Sequence, residues 1–482
     1  MRKFILGLLA FSVLLTIGSL IASPYRTTII MTPALVIMFI VTSPVFFLKK
    51  MSFFSPWSFL IYFSFLNVFL RSFCIANIIP DPDIINAYFF LGKKIEGMIW
   101  PSIVVLLAFV AMTIGFMNKP VQISMRKSID LRVNNWASNK FNFLMSFILL
   151  VSIIAFIKFV SVSIESFLLL SLTNFSSYRG ISSDLAEYSS NGYLRWVIQM
   201  SDIVMYLCFV KLVQSPKKNY LHIFLFVVSL MVSVGFYVFV QSRSGVMMLF
   251  INIFILSYFF GKKKISFKKI AVIAVICLSF FGLLTSLRVG SGYSVEEVNI
   301  FYPLKALEPF IVNNGGIDIS KTWHIIDYIN AQNDFKFGAT IVWLMIAWIP
   351  RQMWPDKPVN IDTVVGMKIY GADTYGTGAV PPGVFAELYW NFWYFGIFLG
   401  CWIIGMIIRS VQVYFENRMN NCNSIILYVI CFMQLSIAIV GSSVTSAITG
   451  ILFSFIPLLL IFRFLTDSKQ KHYNKVNYLV GE

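Results

Sequence analysis

Five arginines have the chemistry to grip an anion. Arg179 in SYRG, Arg195 in YLRW, Arg243 in VQSRSG, Arg288 in SLRVGSG and Arg351 in WIPRQM sit on different stretches of the chain. A guanidinium is planar, stays charged and presents a fork of donors that matches phosphate oxygens. A set converging at headgroup depth suits a lipid diphosphate, with Lys357 as a further cation beside Asp356. Taken singly, each arginine is also explained as an anchor at a helix end, its stem in lipid and its head in water.

Acids and one histidine supply the proton chemistry. The carboxylate candidates are Asp356, Asp362, Asp373 and Glu387, with Glu308 further back. Glu387 opens an apolar run behind Pro381, Pro382 and Gly383. Partial burial there makes it a proton acceptor, although an acid in a first helical turn is also favoured by the helix dipole alone. His324 has suitable chemistry, and a single histidine is also read as incidental. Asp202 and Arg71 fall inside apolar runs, where a charge is costly and marks either function or a buried pair. For Asp202 the pairing alternatives are Arg71 and Lys158. The aromatics of YWNFWYF, with Trp343, Trp348 and Trp354, suit either sugar stacking or an interfacial belt.

The elements that must position these residues are membrane helices. The chain is 58% hydrophobic and only 12% charged, against about 25% charged in a soluble protein. Its apolar blocks run roughly 18 to 25 residues, enough to cross the bilayer as helices and too continuous for barrel strands. About twelve spans are expected, at 4–22, 28–48, 56–76, 98–117, 141–164, 194–213, 220–240, 245–260, 270–287, 384–408, 424–441 and 446–463. The first block is read as a helix and not a cleaved leader, because a second span follows with no convincing cleavage site.

Charge gives the orientation. The net charge is +17, but the lysine-rich stretches Lys49–Lys50, the 118–140 loop, SPKKN, GKKKISFKK and the tail fall on one side of the alternating spans. That is the positive-inside pattern, so both termini are assigned to the cytoplasm and the basic charge is topological rather than a sign of nucleic acid. The six cysteines show no CxxC or paired spacing, and the histidines are split between the two sides. Neither a disulfide framework nor a metal site is expected.

The expected organisation is 1–287 with nine spans and a smaller outer loop at 165–193, a large outer loop at 288–383, 384–465 with three spans, and a cytoplasmic tail at 466–482. The large loop holds KTWHIIDYINAQNDF, in which Ile325, Ile326 and Ile329 share a helical face and suit an amphipathic helix on the membrane surface. GATIVWLMIAWIP is too short to span and suits a re-entrant or interfacial helix. Loops this long usually serve as lids or binding elements, which puts the chemistry on the outer face. No P-loop, GxSxG, HExxH or kinase set is present. An outer-face enzyme without nucleotide needs an activated lipid substrate.

Three stretches carry a family resemblance: SRSG at 242–245, IPRQMWPDKP at 349–358 and PPGVFAELYWNFWYFGIFLG at 381–400. With the aromatic-rich spans and one large late loop, the chain resembles the O-antigen and polysaccharide repeat-unit polymerases of the Wzy type, which are related to O-antigen ligases. Ala386 fits the small residue that the family shows before the Glu387 position. Asn391 is followed by FWYFG, bulkier than the family's Phe-Gly. The resemblance implies a metal-independent glycosyltransferase of the bacterial inner membrane, without cofactors, working at the periplasmic face. Its substrate would be an undecaprenyl-diphosphate-linked oligosaccharide, and a chain-length regulator (a polysaccharide co-polymerase) would be a partner. Arg179, Arg243, Arg288, Arg351 and Lys357 would hold the diphosphate. Glu387 and His324 would serve the acceptor's proton, and Asp356, Asp362 and Arg195 would position substrate. Alternatives are an O-antigen ligase and, in another class, a lipid-linked oligosaccharide flippase or transporter.

Overall fold

In hydrocarbon every backbone polar group must be satisfied within its own segment, so long apolar runs become helices. The structure is a computed structural model that describes residues 1–48, 51–78, 94–118, 136, 138–167, 192–215, 219–240, 242–261, 319–347, 349, 353–354, 356–371, 379–419 and 421–465, with the backbone alone at 161–167, 192 and 243. Among these residues every regular element is helical. In chain order they are α1 (Arg2–Ala22), α2 (Pro24–Phe47), α3 (Pro56–Asn77), α4 (Ile95–Met117), α5 (Ser138–Phe167), α6 (Gly192–Gln214), α7 (Tyr220–Phe239), α8 (Arg243–Phe260), α9 (Ile319–Gln332), α10 (Ala339–Ile346), α11 (Ile361–Tyr370), α12 (Val384–Glu416), α13 (Cys422–Gly441) and α14 (Val444–Leu465). Ten of the described helices are long and apolar enough to cross a membrane, and α8 is a shorter apolar helix. The protein is an all-α polytopic membrane protein. The expected span at 270–287 lies outside the described residues.

Local chemistry sets the helix starts. Ser55 accepts from the Ser58 amide ahead of α3, Asn219 from Leu221 ahead of α7, Ser242 from Gly245 at α8, and Asn421 from Asn423 and Ser424 at α13. Each side chain satisfies an amide that has no intrahelical partner. At the other end of α2, the Arg2 guanidinium donates to the carbonyls of Val45, Phe46 and Leu48, a favourable place for a cation.

The chain divides into two compact units. One comprises Met1–Ser124, Leu304–Glu416 and Phe432–Gly450; the other comprises Met125–Pro303, Asn417–Cys431 and Ile451–Glu482. In the first, α4 and α12 run in backbone contact. A Cβ on Gly115 would overlap the Trp402 carbonyl oxygen, and one on Gly405 would overlap that of Met112. Small residues that let backbones approach are the usual adhesive between helices in lipid. Trp57 stacks on Phe116 at 4.0 Å and donates to the Val41 carbonyl. In the second unit Trp136 stacks on Phe141 at 5.3 Å, donates to Asn423 and lies under the Lys211 ammonium.

Two features differ from the sequence expectation. Ile325, Ile326 and Ile329 of α9 are buried within the protein, and neighbouring Trp323 lies where a side chain at Gly97 would be. Hydrophobic periodicity marks the face that avoids water but not whether lipid or protein covers it. The second is a break in α12, where Phe392 and Trp393 leave helical geometry and Trp393 takes φ +57°. The aromatic pair following Asn391 therefore separates a short buried helix, Val384–Asn391, from the longer remainder of α12.

Candidate functional site

Gly383, at φ +77°, ends the Pro-Pro-Gly turn, and Val384 to Asn391 are then all buried. Glu387 is 0% exposed. A carboxylate so placed needs donors on both oxygens, and it has them. The Thr340 hydroxyl of α10 donates to Oε1 at 2.8 Å, and the Val444 amide donates to Oε2 at 2.6 Å. That amide belongs to the first residue of α14, where amides lack intrahelical partners and the dipole favours an anion.

Asn391 ties the short helix to α10. Its Nδ2 donates to the Thr340 hydroxyl at 2.6 Å and to the Glu387 carbonyl at 2.8 Å, and its Oδ1 accepts from the Gly338 amide at 2.9 Å. The break at Phe392 and Trp393 comes directly after it.

A second carboxylate meets the same turn. The turn between α13 and α14 reads GSSVTS, residues 441–446. Ser446 donates its hydroxyl to Asp362 Oδ2 at 2.9 Å, and Asn360 donates to Ser446 at 3.2 Å. Ser443 caps α14 by accepting from the Ser446 amide, and its hydroxyl donates to that of Ser446 at 2.8 Å. Asp362 lies in the first turn of α11, which Asn360 caps. Asp362 Oδ1 is buried and has no hydrogen-bond partner among the described residues. Burial pushes this carboxyl above its ordinary range. It outweighs the Ser443 and Ser446 hydroxyls, the Lys321 ammonium and Asn360, all of which favour the charged form.

Helix α9 completes the surroundings. Lys321 is 1% and His324 2% exposed. The His324 ring stacks on Trp323 and meets Tyr370 of α11 edge-on at 6.4 Å. Glu387, Asp362 and His324 all belong to the first unit.

The other expected residues have different settings. The Lys357 ammonium donates to the carbonyls of Ala347 at 2.9 Å and Ile349 at 3.0 Å and lies over the Trp343 ring at 4.9 Å. That is the place of a cation capping the carboxyl end of α10. Asp356 is exposed on the adjoining turn. Arg71 is buried in α3 of the first unit. Arg179, Arg288 and Arg351 lie outside the described residues, and Arg243 is described only as the residue that opens α8.

These features make a paired-carboxylate centre on an all-α membrane scaffold. The sequence has relatives that bear on what it serves. The chain is similar to O-antigen polymerases. The proteins of that name from Salmonella typhimurium (strain LT2) and Salmonella typhi are each 23% identical to it over 228 residues, covering 45% of this chain and 50% of each relative. The chain thus spans about half the length of the curated relatives it matches. No protein-family model matches the chain, and no solved structure matches it significantly.

The SRSG stretch belongs to the second unit. A side chain at Gly245 would overlap the Tyr237 ring. Tyr237 in turn donates its hydroxyl to Asp202 Oδ2 at 2.7 Å. Nearby, Ser201 and Ser233 share a hydrogen bond at 2.8 Å, and Asn252 donates to the Tyr206 hydroxyl at 3.1 Å. Asp202, suspected from its intramembrane charge, is thus bonded to a tyrosine that also packs against the start of α8. Arg195, on the same helix as Asp202, places its guanidinium over the Phe159 ring at 5.5 Å.

Sequence reasoning missed Thr340, Asn391, Lys321 and the 443–446 turn. A small polar run between two spans was a visible signal for the turn. So was a lysine four residues before Ile325, on the apolar face of α9.

Proposed function

We propose that the chain polymerises undecaprenyl-diphosphate-linked repeat units into O-antigen or a similar polysaccharide. The observation that carries the reading is the pair of acids Glu387 and Asp362, tied to one turn in a chain similar to O-antigen polymerases. The enzyme resides in the bacterial inner membrane with both termini in the cytoplasm and works at the periplasmic face. The lysine-rich stretches support that orientation.

In the reaction, a hydroxyl on the terminal sugar of an incoming lipid-linked unit attacks C1 of the growing chain's reducing-end sugar. The new C1–O bond forms as the bond from C1 to the diphosphate oxygen breaks. The bonding electrons leave with undecaprenyl diphosphate, and the hydroxyl proton passes to a base. Arg179, Arg243, Arg288 and Arg351 hold the diphosphate and offset the charge that develops on it. Lys357 keeps the carbonyl contacts that close α10. Arg195 and Asp356 position substrate. A chain-length-regulating co-polymerase is the expected partner.

Deleting the gene and resolving surface lipopolysaccharide on a gel tests the reading. A polymerase deletion leaves single repeats on the core. Complete loss of repeats would instead indicate a ligase or a flippase, and an unchanged ladder would refute all three.

A further inference from the structure

Resting on the polymerase reading, we infer that Asp362 is the base that takes the acceptor hydroxyl's proton and that Glu387 is a positioning residue. The distinction follows from how each carboxylate is occupied. Glu387 is fully buried, and each of its oxygens already accepts a hydrogen bond, one from Thr340 and one from Val444. Its attachments are structural, since they join the short start of α12 to α10 and to the start of α14. A proton taken up by Glu387 would have to share an oxygen with a fixed donor, which weakens it as a base. At Asp362, Ser446 holds Oδ2 and the buried Oδ1 accepts from none of the described residues, so that oxygen competes with no donor for a proton.

The surroundings of Asp362 suit that task. The Ser446 hydroxyl and the Asn360 cap orient the carboxyl from its own end of α11 and from the turn. Lys321 of α9 is the facing cation and Glu387 of α12 the neighbouring acid. His324 stands on α9 one turn beyond Lys321, where that helix meets α11 at Tyr370. Burial biases Asp362 toward protonation, which brings a carboxyl closer to the working pH of a base. In the step, the proton passes to Asp362 Oδ1 as the glycosidic bond forms and undecaprenyl diphosphate departs. The carboxyl then releases that proton to water before the next transfer.

Glu387 acts through the turn. With Val444 and Ser446 two residues apart, the acid that holds the Val444 amide also sets where the Ser446 hydroxyl meets Asp362.

The test uses the full chain reconstituted in vesicles of bacterial lipid. The probe is the undecaprenyl-diphosphate-linked repeat unit extracted from a strain deleted for the gene. Polymerisation rate is followed against pH for wild type, Asp362→Asn, Asp362→Glu and Glu387→Gln, with folding checked by gel filtration. Asp362→Asn should lose about 100-fold or more, and its residual rate should lack the fall toward acid pH seen in wild type. Asp362→Glu should recover part of the rate and the same acid limb. Glu387→Gln should be slower yet keep the wild-type acid limb. An Asp362→Asn rate within about tenfold of wild type, or an acid limb lost in Glu387→Gln, would overturn the assignment while leaving the polymerase reading intact. A folded wild-type chain that makes no polymer would overturn the polymerase reading, and the assignment with it.

Discussion

The Val444 amide donates to Glu387 Oε2 at 2.6 Å across 57 residues of chain. This one bond brings the start of α12 to the start of α14, two residues before Ser446 reaches Asp362. Both acids are therefore set by a single short turn, which couples their positions.

Glu387→Ala should destabilise the protein by removing the acceptor of two part-buried donors, Thr340 and Val444. Each orphaned group costs about 1–3 kcal/mol. Glu387→Gln keeps one acceptor and turns an amide toward the other donor, so its loss should be smaller. Thermal unfolding in detergent would show the order, and equal melting temperatures for Glu387→Ala and wild type would refute it.

Asp362 gives stability a sign with pH. Its folded pKa is raised above the ordinary 3.8, so the folded state binds more protons than the unfolded state between those values. Its contribution is therefore greatest below the unfolded pKa and declines as pH rises through the folded one. Asp362→Asn removes that decline. The melting temperature of the variant relative to wild type should rise from about pH 4 to about pH 7, and a falling difference would contradict the sign.

Gly405→Ala should destabilise by about 1–3 kcal/mol through overpacking, because its Cβ meets the Met112 carbonyl, a backbone atom. Gly18→Ala in α1 serves as the control, since nothing lies within 4 Å of its Cβ position. Unfolding in detergent would distinguish the two, and a neutral Gly405→Ala would refute the close approach of α4 and α12.

Tyr237→Phe should weaken the second unit by about 1–3 kcal/mol, leaving a buried carboxylate oxygen of Asp202 without its donor. Combining it with Asp202→Asn should cost less than the sum of the single changes. A double-mutant cycle on unfolding free energy reads that coupling directly, and strict additivity would show the bond to be inconsequential.

Replacing Arg243, Arg288 or Arg351 by Ala, and separately by Lys, should shorten or abolish polymer while the protein stays inserted. Lysine keeps the charge but loses the fork of donors, so its effect should be the milder. A full lipopolysaccharide ladder from inserted Arg351→Ala would remove that arginine from the diphosphate site.

Much of the scaffold was legible in the sequence because hydrocarbon imposes a one-dimensional rule. An apolar run of spanning length becomes a helix, and α1 to α7 and α12 to α14 lie where such runs are. Glu387 was visible as an acid opening such a run. Its partners were not. Thr340, Val444 and Asn391 are joined to it or to each other across loops, and periodicity carries no information about which turn meets which helix. Asp362 was noticed as an acid, but its unbonded Oδ1 and its bond to Ser446 exist only once α11 and the 441–446 turn are brought together. Composition and spacing determined a helical membrane protein with most of its acids in the later half of the chain and its arginines spread along it. Tertiary packing decided which carboxylate is locked between donors and which keeps an oxygen in reserve, because a hydrogen bond depends on distance in space and not on separation along the chain.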